Sequence, residues 1–160
     1  MADTDQKLLT FSLGSEGYGV SILKVKEIIG MMEITPVPKT PDFIKGVINL
    51  RGKIIPVMDL RIKFGMDEKE YNERTCIIVA EVDIKGAQKL LGVVVDMVSE
   101  VVTVSDDQIE PPPEYGTAIE HNSILGIGKI KDRVVIILDI DEVFVCDEVV
   151  KMLDNVREGL

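Results

Sequence analysis

The chain has no tryptophan, a single histidine and two cysteines in 160 residues, with three tyrosines and four phenylalanines as its aromatic complement. These shortages exclude several kinds of chemistry. His121 has Ser123 two residues away, but a nucleophile and its base also need an orienting third group held in space. One histidine and two distant cysteines do not make a zinc ligand set. Cys76 and Cys146 lack CxxC spacing and read as free thiols rather than a disulfide. Lys and Arg number 18 against 28 Asp and Glu, a net charge of −10. Without a basic stripe to displace counterions, nucleic acid is not an expected partner. No apolar run approaches the roughly 18 residues of a membrane span, so direct membrane insertion is not expected. The acidic start MADTDQK is unlike a targeting peptide, which leaves the cytoplasm as the expected location. The carboxylate clusters Asp106-Asp107 and Asp139–Glu142 lack the calcium-loop pattern and read as helix N-terminal charges. Gly14–Gly19 has no lysine, so it reads as a hairpin turn and not a phosphate cradle. No catalytic, metal or cofactor site is expected.

What the chain does have is valine, isoleucine and an internal echo. KIIPVMDLRIKF from Lys53 returns as RVVIILDIDEVF from Arg133, with matched residues 80 apart, including Asp59/Asp139 and Phe64/Phe144. The same offset relates Ile44/Ile124 and Gly46/Gly126, while an offset of 73 relates Gly19/Gly92, Val25/Val98 and Glu27-Ile28-Ile29/Glu100-Val101-Val102. Ile34-x-Pro36-x-Pro38 recurs as Ile109-x-Pro111-x-Pro113. Ordered self-similarity of this kind points to one duplicated unit. Each unit of roughly 65 residues is marginal alone, so the two are expected to share apolar surface.

Short Val/Ile runs bounded by Gly, Pro and charge are strand grammar. They predict Leu8–Leu13, Tyr18–Ile22, Val25–Ile29, Gly46–Leu50 and Lys53–Val57, then Cys76–Glu81, Lys89–Val95, Val98–Val104, Ile124–Ile130 and Arg133–Leu138. The expected fold is all-β with short helices: two pseudosymmetric five-stranded barrels, because closure removes the edges of such apolar strands. Residues 7–65 are expected to form the first lobe, 66–74 a connector, 75–146 the second lobe and 147–157 a C-terminal helix. Arg51-Gly52 and Lys131-Asp132 read as two-residue hairpin turns. Asp59 and Asp139 are expected to cap short helices, and Thr40-Pro41-Asp42 to start a helical turn.

Glu27 interrupts an apolar strand and Arg51 tips a hairpin; each alone is an ordinary exposed charge. Met31-Met32 suit an adaptable contact face or a core gap. Tyr115 follows three prolines as an exposed anchor candidate or a local packing partner.

Phe43–Gly65, with its NLRG-x-x-x-P-x-x-DLR core, resembles the signature of the CheW family of bacterial chemotaxis coupling proteins. Gly17–Val20, Ile22–Ile28, Leu91–Asp96 and Gln108-Ile109-x-Pro111 continue it in register, from about Lys7 to Leu153. The resemblance implies two packed SH3-like barrels without enzymatic activity, linking membrane chemoreceptors to the histidine kinase CheA. It also implies that the cytoplasmic tip of a methyl-accepting receptor docks at a groove between the barrels. Val25, Glu27, Gly46 and Arg51 match positions at or beside that groove, with Glu27 and Arg51 as a bracing pair; Ile28 and Val98 are added as apolar lining. Tyr115 matches, less closely, a loop toward the regulatory domain of CheA. A different class, an enzyme with its site between the lobes, would need titratable groups clustered there, and the sequence places no histidine or cysteine near that seam.

Overall fold

The computed structural model describes residues 5–111 and 123–143. Its strands are β1 (Gln6–Leu13), β2 (Glu16–Ser21), β3 (Val25–Gly30), β4 (Ile44–Leu50), β5 (Lys53–Asp59), β6 (Cys76–Ile84), β7 (Ala87–Val95), β8 (Met97–Val104), β9 (Ile109–Glu110), β10 (Ile124–Ile130) and β11 (Arg133–Leu138). Two short helices follow the strand ends, α1 (Leu60–Lys63) and α2 (Ile140–Val143). Every strand expected from the Val/Ile runs is present. The two-residue β9 was not foreseen, because the prolines that follow it mark that stretch as a connector.

The strands form two sheets, ordered β8-β1-β2-β11-β10-β9 and β3-β6-β7-β5-β4. The lobes are therefore not the consecutive stretches 7–65 and 75–146. The leading hairpin of each repeat, β1-β2 or β6-β7, is inserted into the lobe made by the remaining strands of the other, β8–β11 or β3–β5. The exchange is symmetric in register. β2 pairs in parallel with β11 through Gly19 and Ile137, and β7 with β5 through Gly92 and Val57. These are the residues that the offsets of 73 and 80 relate. Repetition in the sequence reveals the unit, but not which copy each hairpin joins.

Packing shows why the exchange holds. β6 carries Ile77 and Val79 toward the interior of its own lobe, with Ile48, Ile55, Val57 and Val94. Its other face turns Ile78, Ala80, Val82 and Ile84 toward Leu9, Phe11, Leu13, Tyr18 and Val20 of the opposite sheet. Leu8, Val102, Val104 and Ile137 fill the other lobe. Strands covered on both faces read as continuous apolar runs, whereas the edge strand β3 alternates. Phe11 stacks on Tyr18 at 5.8 Å between ring centroids, and Tyr18 meets Phe64 at 5.7 Å. The space between the lobes is thus a shared core, and the void of about 10 Å³ there is lined by such residues as Phe11, Ile78, Ala80 and Val93.

The turns follow their chemistry. Arg51 and Gly52 have φ of 52° and 88°, and Lys131 and Asp132 of 50° and 63°, the mirror-image turn that matches strand twist. The Asp59 carboxylate accepts the Arg61 N–H at 3.0 Å, and Asp139 accepts the Asp141 N–H at 3.1 Å, so both cap helices as expected. Thr40-Pro41-Asp42 instead makes one tight turn closed by the Ile44 N–H on the Pro41 carbonyl. The strand that begins at Ile44 leaves no room for a helix. The expected helix at 147–157 lies outside the described residues.

Candidate functional site

β3 and β4 are the two outer strands of the five-stranded sheet, and one ion pair links β3 to the turn that follows β4. The guanidinium of Arg51, at the tip of the β4–β5 hairpin, donates from both terminal nitrogens to the two carboxylate oxygens of Glu27 on β3. Arg51 reaches that position because its backbone takes the left-handed conformation, and the Asn49 side chain accepts the Gly52 N–H at 2.9 Å to hold the turn. The hydrogen bonds from Arg51 hold the Glu27 carboxyl below its usual range, and Glu27 in turn raises the guanidinium. Both groups face solvent, so their fork geometry fixes shape more than it adds stability. Next to Glu27 in the strand Ile28 is 42% exposed, and Leu23, in the turn before β3, is 87% exposed. Val25 is half-buried against the shared core. On β3 the exposed Ile28 and the clasped Glu27 are successive residues and so face opposite sides of the edge strand.

Gly46 is buried, so it presents no surface of its own. Its φ is 142°, and a Cβ there would lie 2.1 Å from the Thr35 carbonyl oxygen. The residue must be glycine because Thr35 and Pro36 cross it, where Thr35 bridges to Val47. Val98 takes the place on β8 that Val25 takes on β3, paired with Phe11 as Val25 is with Ala80. Met31 and Met32 pack partly buried into the core of the five-stranded lobe, which is the gap-filling use of methionine. Tyr115, His121 and Cys146 lie outside the described residues. Cys76 is free and half-buried.

Four residues to which sequence reasoning gave no joining role tie the lobes together. Arg61 of α1 donates to Asp96, between β7 and β8, at 2.7 Å, and Asp96 also accepts the Gly14 N–H from the β1–β2 turn at 2.7 Å. Both side chains of this pair are more than four-fifths buried. In the related place Asp141 of α2 accepts from Lys24 at 2.8 Å and from the Asp83 N–H at 2.9 Å. Residues 61 and 141 are repeat mates, so one joint is built twice with the charges reversed. The hydrogen bond to Asp141 raises the Lys24 ammonium against the opposing effect of its burial. A signal existed: between the matched Asp59/Asp139 and Phe64/Phe144 the basic Arg61 is replaced by Asp141, and a charge reversal asks for a reversed partner.

A CheW-like domain matches residues 7–148 of this chain. The chain belongs to the CheW family. It is 42% identical over 154 residues to Chemotaxis protein CheW of Klebsiella aerogenes, covering 96% of this chain and 90% of that protein. Protein FrzA of Myxococcus xanthus is 34% identical over 127 residues, covering 79% and 76%. The crystal structure of scaffolding protein TtCheW from Thermoanaerobacter tengcongensis superposes with a TM-score of 0.79 at 39% identity, covering 92% of each chain. The all-β architecture of two lobes is thus a CheW fold, and the chain is a CheW-type scaffold of chemotaxis signalling. Among the described residues no helix is long and apolar enough to cross a membrane.

Proposed function

We propose that this chain is a non-catalytic cytoplasmic adaptor that couples the cytoplasmic tips of methyl-accepting chemoreceptors to the histidine kinase CheA. The observation that supports this reading is the exposed Ile28 on the edge strand β3, which the Glu27–Arg51 clasp holds from the other side. A helical hairpin lays apolar side chains against such an edge, and the clasp fixes the strand that presents it. Val25, Glu27, Ile28 and Arg51 form the receptor face, with Gly46 shaping the strand behind it. Val98, half-buried on β8, lines the second lobe's side. Tyr115 belongs to the face toward the regulatory domain of CheA. No cofactor or metal takes part, and the net charge of −10 disfavours nucleic acid.

Reconstitution of receptor fragment, CheA and this chain tests the reading through receptor-dependent kinase activity. Arg51→Glu and Glu27→Arg each reduce coupling at least tenfold, and the double exchange recovers part of it because the pair is rebuilt with reversed polarity. Full coupling by both single variants defeats the assignment. The second assignment is the same scaffold role, which the likeness to Protein FrzA also fits, in a chemosensory pathway that does not drive flagella. Deletion of the gene followed by scoring of swimming separates the two.

A further inference from the structure

The two joints between the lobes are repeat mates, yet they are built to unequal strength. At the first, Asp96 takes the Arg61 guanidinium at 2.7 Å and the Gly14 N–H at 2.7 Å, with the Lys69 ammonium 3.8 Å away. The backbone there is tied as well, by the Asp96 N–H on the Ser12 carbonyl at 3.2 Å. At the second, Asp141 takes the Lys24 ammonium and the Asp83 N–H. Side-chain exposures are 14% and 13% for Arg61 and Asp96, against 34% and 24% for Lys24 and Asp141. Water and salt therefore screen the second pair more than the first. Packing is looser there too. The void of about 10 Å³ in the shared core is walled by Lys24 and by Ile140 of α2, with Phe11, Val20, Ile78 and Ala80 among the other residues around it. Atoms that line such an apolar void lack dispersion partners on one side. Ile78 and Ala80 pair in register with Ile28 and Val25 of β3, so all four share one face of the sheet. The void is thus the inner end of the face on which Ile28 stands exposed, and Lys24 directly precedes β3.

We propose that the Arg61–Asp96 joint is a pivot and the Lys24–Asp141 joint a latch, so that the lobes part at the Lys24 end, and that a hairpin docked against Val25 and Ile28 selects the parted state. The latch is a property of the free chain, whereas its selection by a hairpin rests on the reading of the β3 face given above. Parting at this end breaks one partly exposed ion pair and few packing contacts, because the void has already removed some of them. It widens the cleft at the inner end of the Ile28 face. An apolar side chain of the hairpin gains contact there that the closed state does not offer, and such a difference is what shifts a two-state equilibrium. Asp141 belongs to α2, directly after β11, so release of the latch is felt by the six-stranded lobe.

The test is methyl relaxation dispersion on the isotope-labelled full chain, which detects lobe motion on the microsecond-to-millisecond scale. The free chain shows exchange at Val20, Ile78 and Ile140 around the void, and none at Leu13 and Leu60, the neighbours of Gly14 and Arg61. Lys24→Met removes the ammonium and raises the open population about fivefold, the worth of an exposed pair. Lys24→Arg forks onto Asp141 and lowers it, and added salt raises it in the unaltered chain. Exchange that ignores both variants is side-chain hopping in a void and overturns the latch. A free chain with no exchange at these methyls overturns it too, and equal exchange at both joints overturns the pivot. A purified receptor-tip hairpin fragment then shifts the Ile28 methyl and moves the equilibrium to the open state, and Lys24→Met binds it about fivefold more tightly. A fragment that shifts Ile28 yet leaves the populations unchanged overturns the selection and leaves the latch. A fragment that shifts nothing on β3 defeats the reading of that face, while the free-chain result still decides the latch.

Discussion

Two glycines in adjoining elements show how differently one residue type is used. Gly46 has the Thr35 carbonyl oxygen where a Cβ would go, at 2.1 Å, whereas Gly52 at φ 88° has nothing within 4 Å. Gly46→Ala must push a neighbouring strand aside and costs about 3 kcal/mol or more, while Gly52→Ala pays only the left-handed backbone penalty of about 1 kcal/mol. Urea denaturation at neutral pH checks the difference, and equal midpoints would contradict it. The same close reading explains most of the NLRG-x-x-x-P-x-x-DLR run. Asn49 holds the turn, Arg51 makes the clasp, Asp59 caps α1 and accepts from the Tyr71 hydroxyl at 2.9 Å, and Arg61 joins the lobes. These roles were only partly legible in the sequence. The turn and the cap announce themselves by local spacing, but Tyr71 and Asp96 are partners supplied by other elements.

At the scale of elements, the reversed joints make unequal contributions. Breaking the well-buried Arg61–Asp96 pair by Arg61→Ala strands a carboxylate and costs about 2–3 kcal/mol; Lys24→Ala, at the more exposed joint, costs about 1 kcal/mol. A double-mutant cycle on Arg61 and Asp96 returns a coupling of more than about 1 kcal/mol, and strict additivity would show the pair to be decorative. Two buried phenols also set the response to alkali. Burial raises Tyr18, with its hydrogen bond to Glu16 adding, and burial raises Tyr71, with the Asp59 charge adding. A phenol whose folded pKa lies above the unfolded value of about 10 gives stability that is whole below that pH and lost as pH rises beyond it. The melting temperature therefore falls above about pH 10, and Tyr71→Phe makes the fall shallower. An unchanged slope in that variant would remove Tyr71 from the account.

For the molecule as a whole, strand positions and the duplication were readable because Val/Ile periodicity and the turns are local. The membership of the lobes was not readable. A hairpin has the same sequence whether it joins the strands that follow it or those of the other repeat, and the choice is made by packing over more than a hundred residues. The exchange has a direct test. Cutting the chain within residues 67–73 separates β3–β5 from β6-β7 and β1-β2 from β8–β11, so neither piece can complete a sheet. Each fragment alone is expected to be unfolded by circular dichroism, and the mixed pair to regain strand signal and a cooperative melt. A first fragment that folds by itself would refute the interleaving. One sheet, β3 to β7, is continuous in the chain, while the other joins β1-β2 to β8–β11. During synthesis the first can close once Val95 has left the ribosome. β1 and β2 must then wait, with Leu8 uncovered, until Val104 and Ile137 emerge. The earliest segment made is among the last to be sheltered, and the nascent protein is most exposed to wrong partners over that interval.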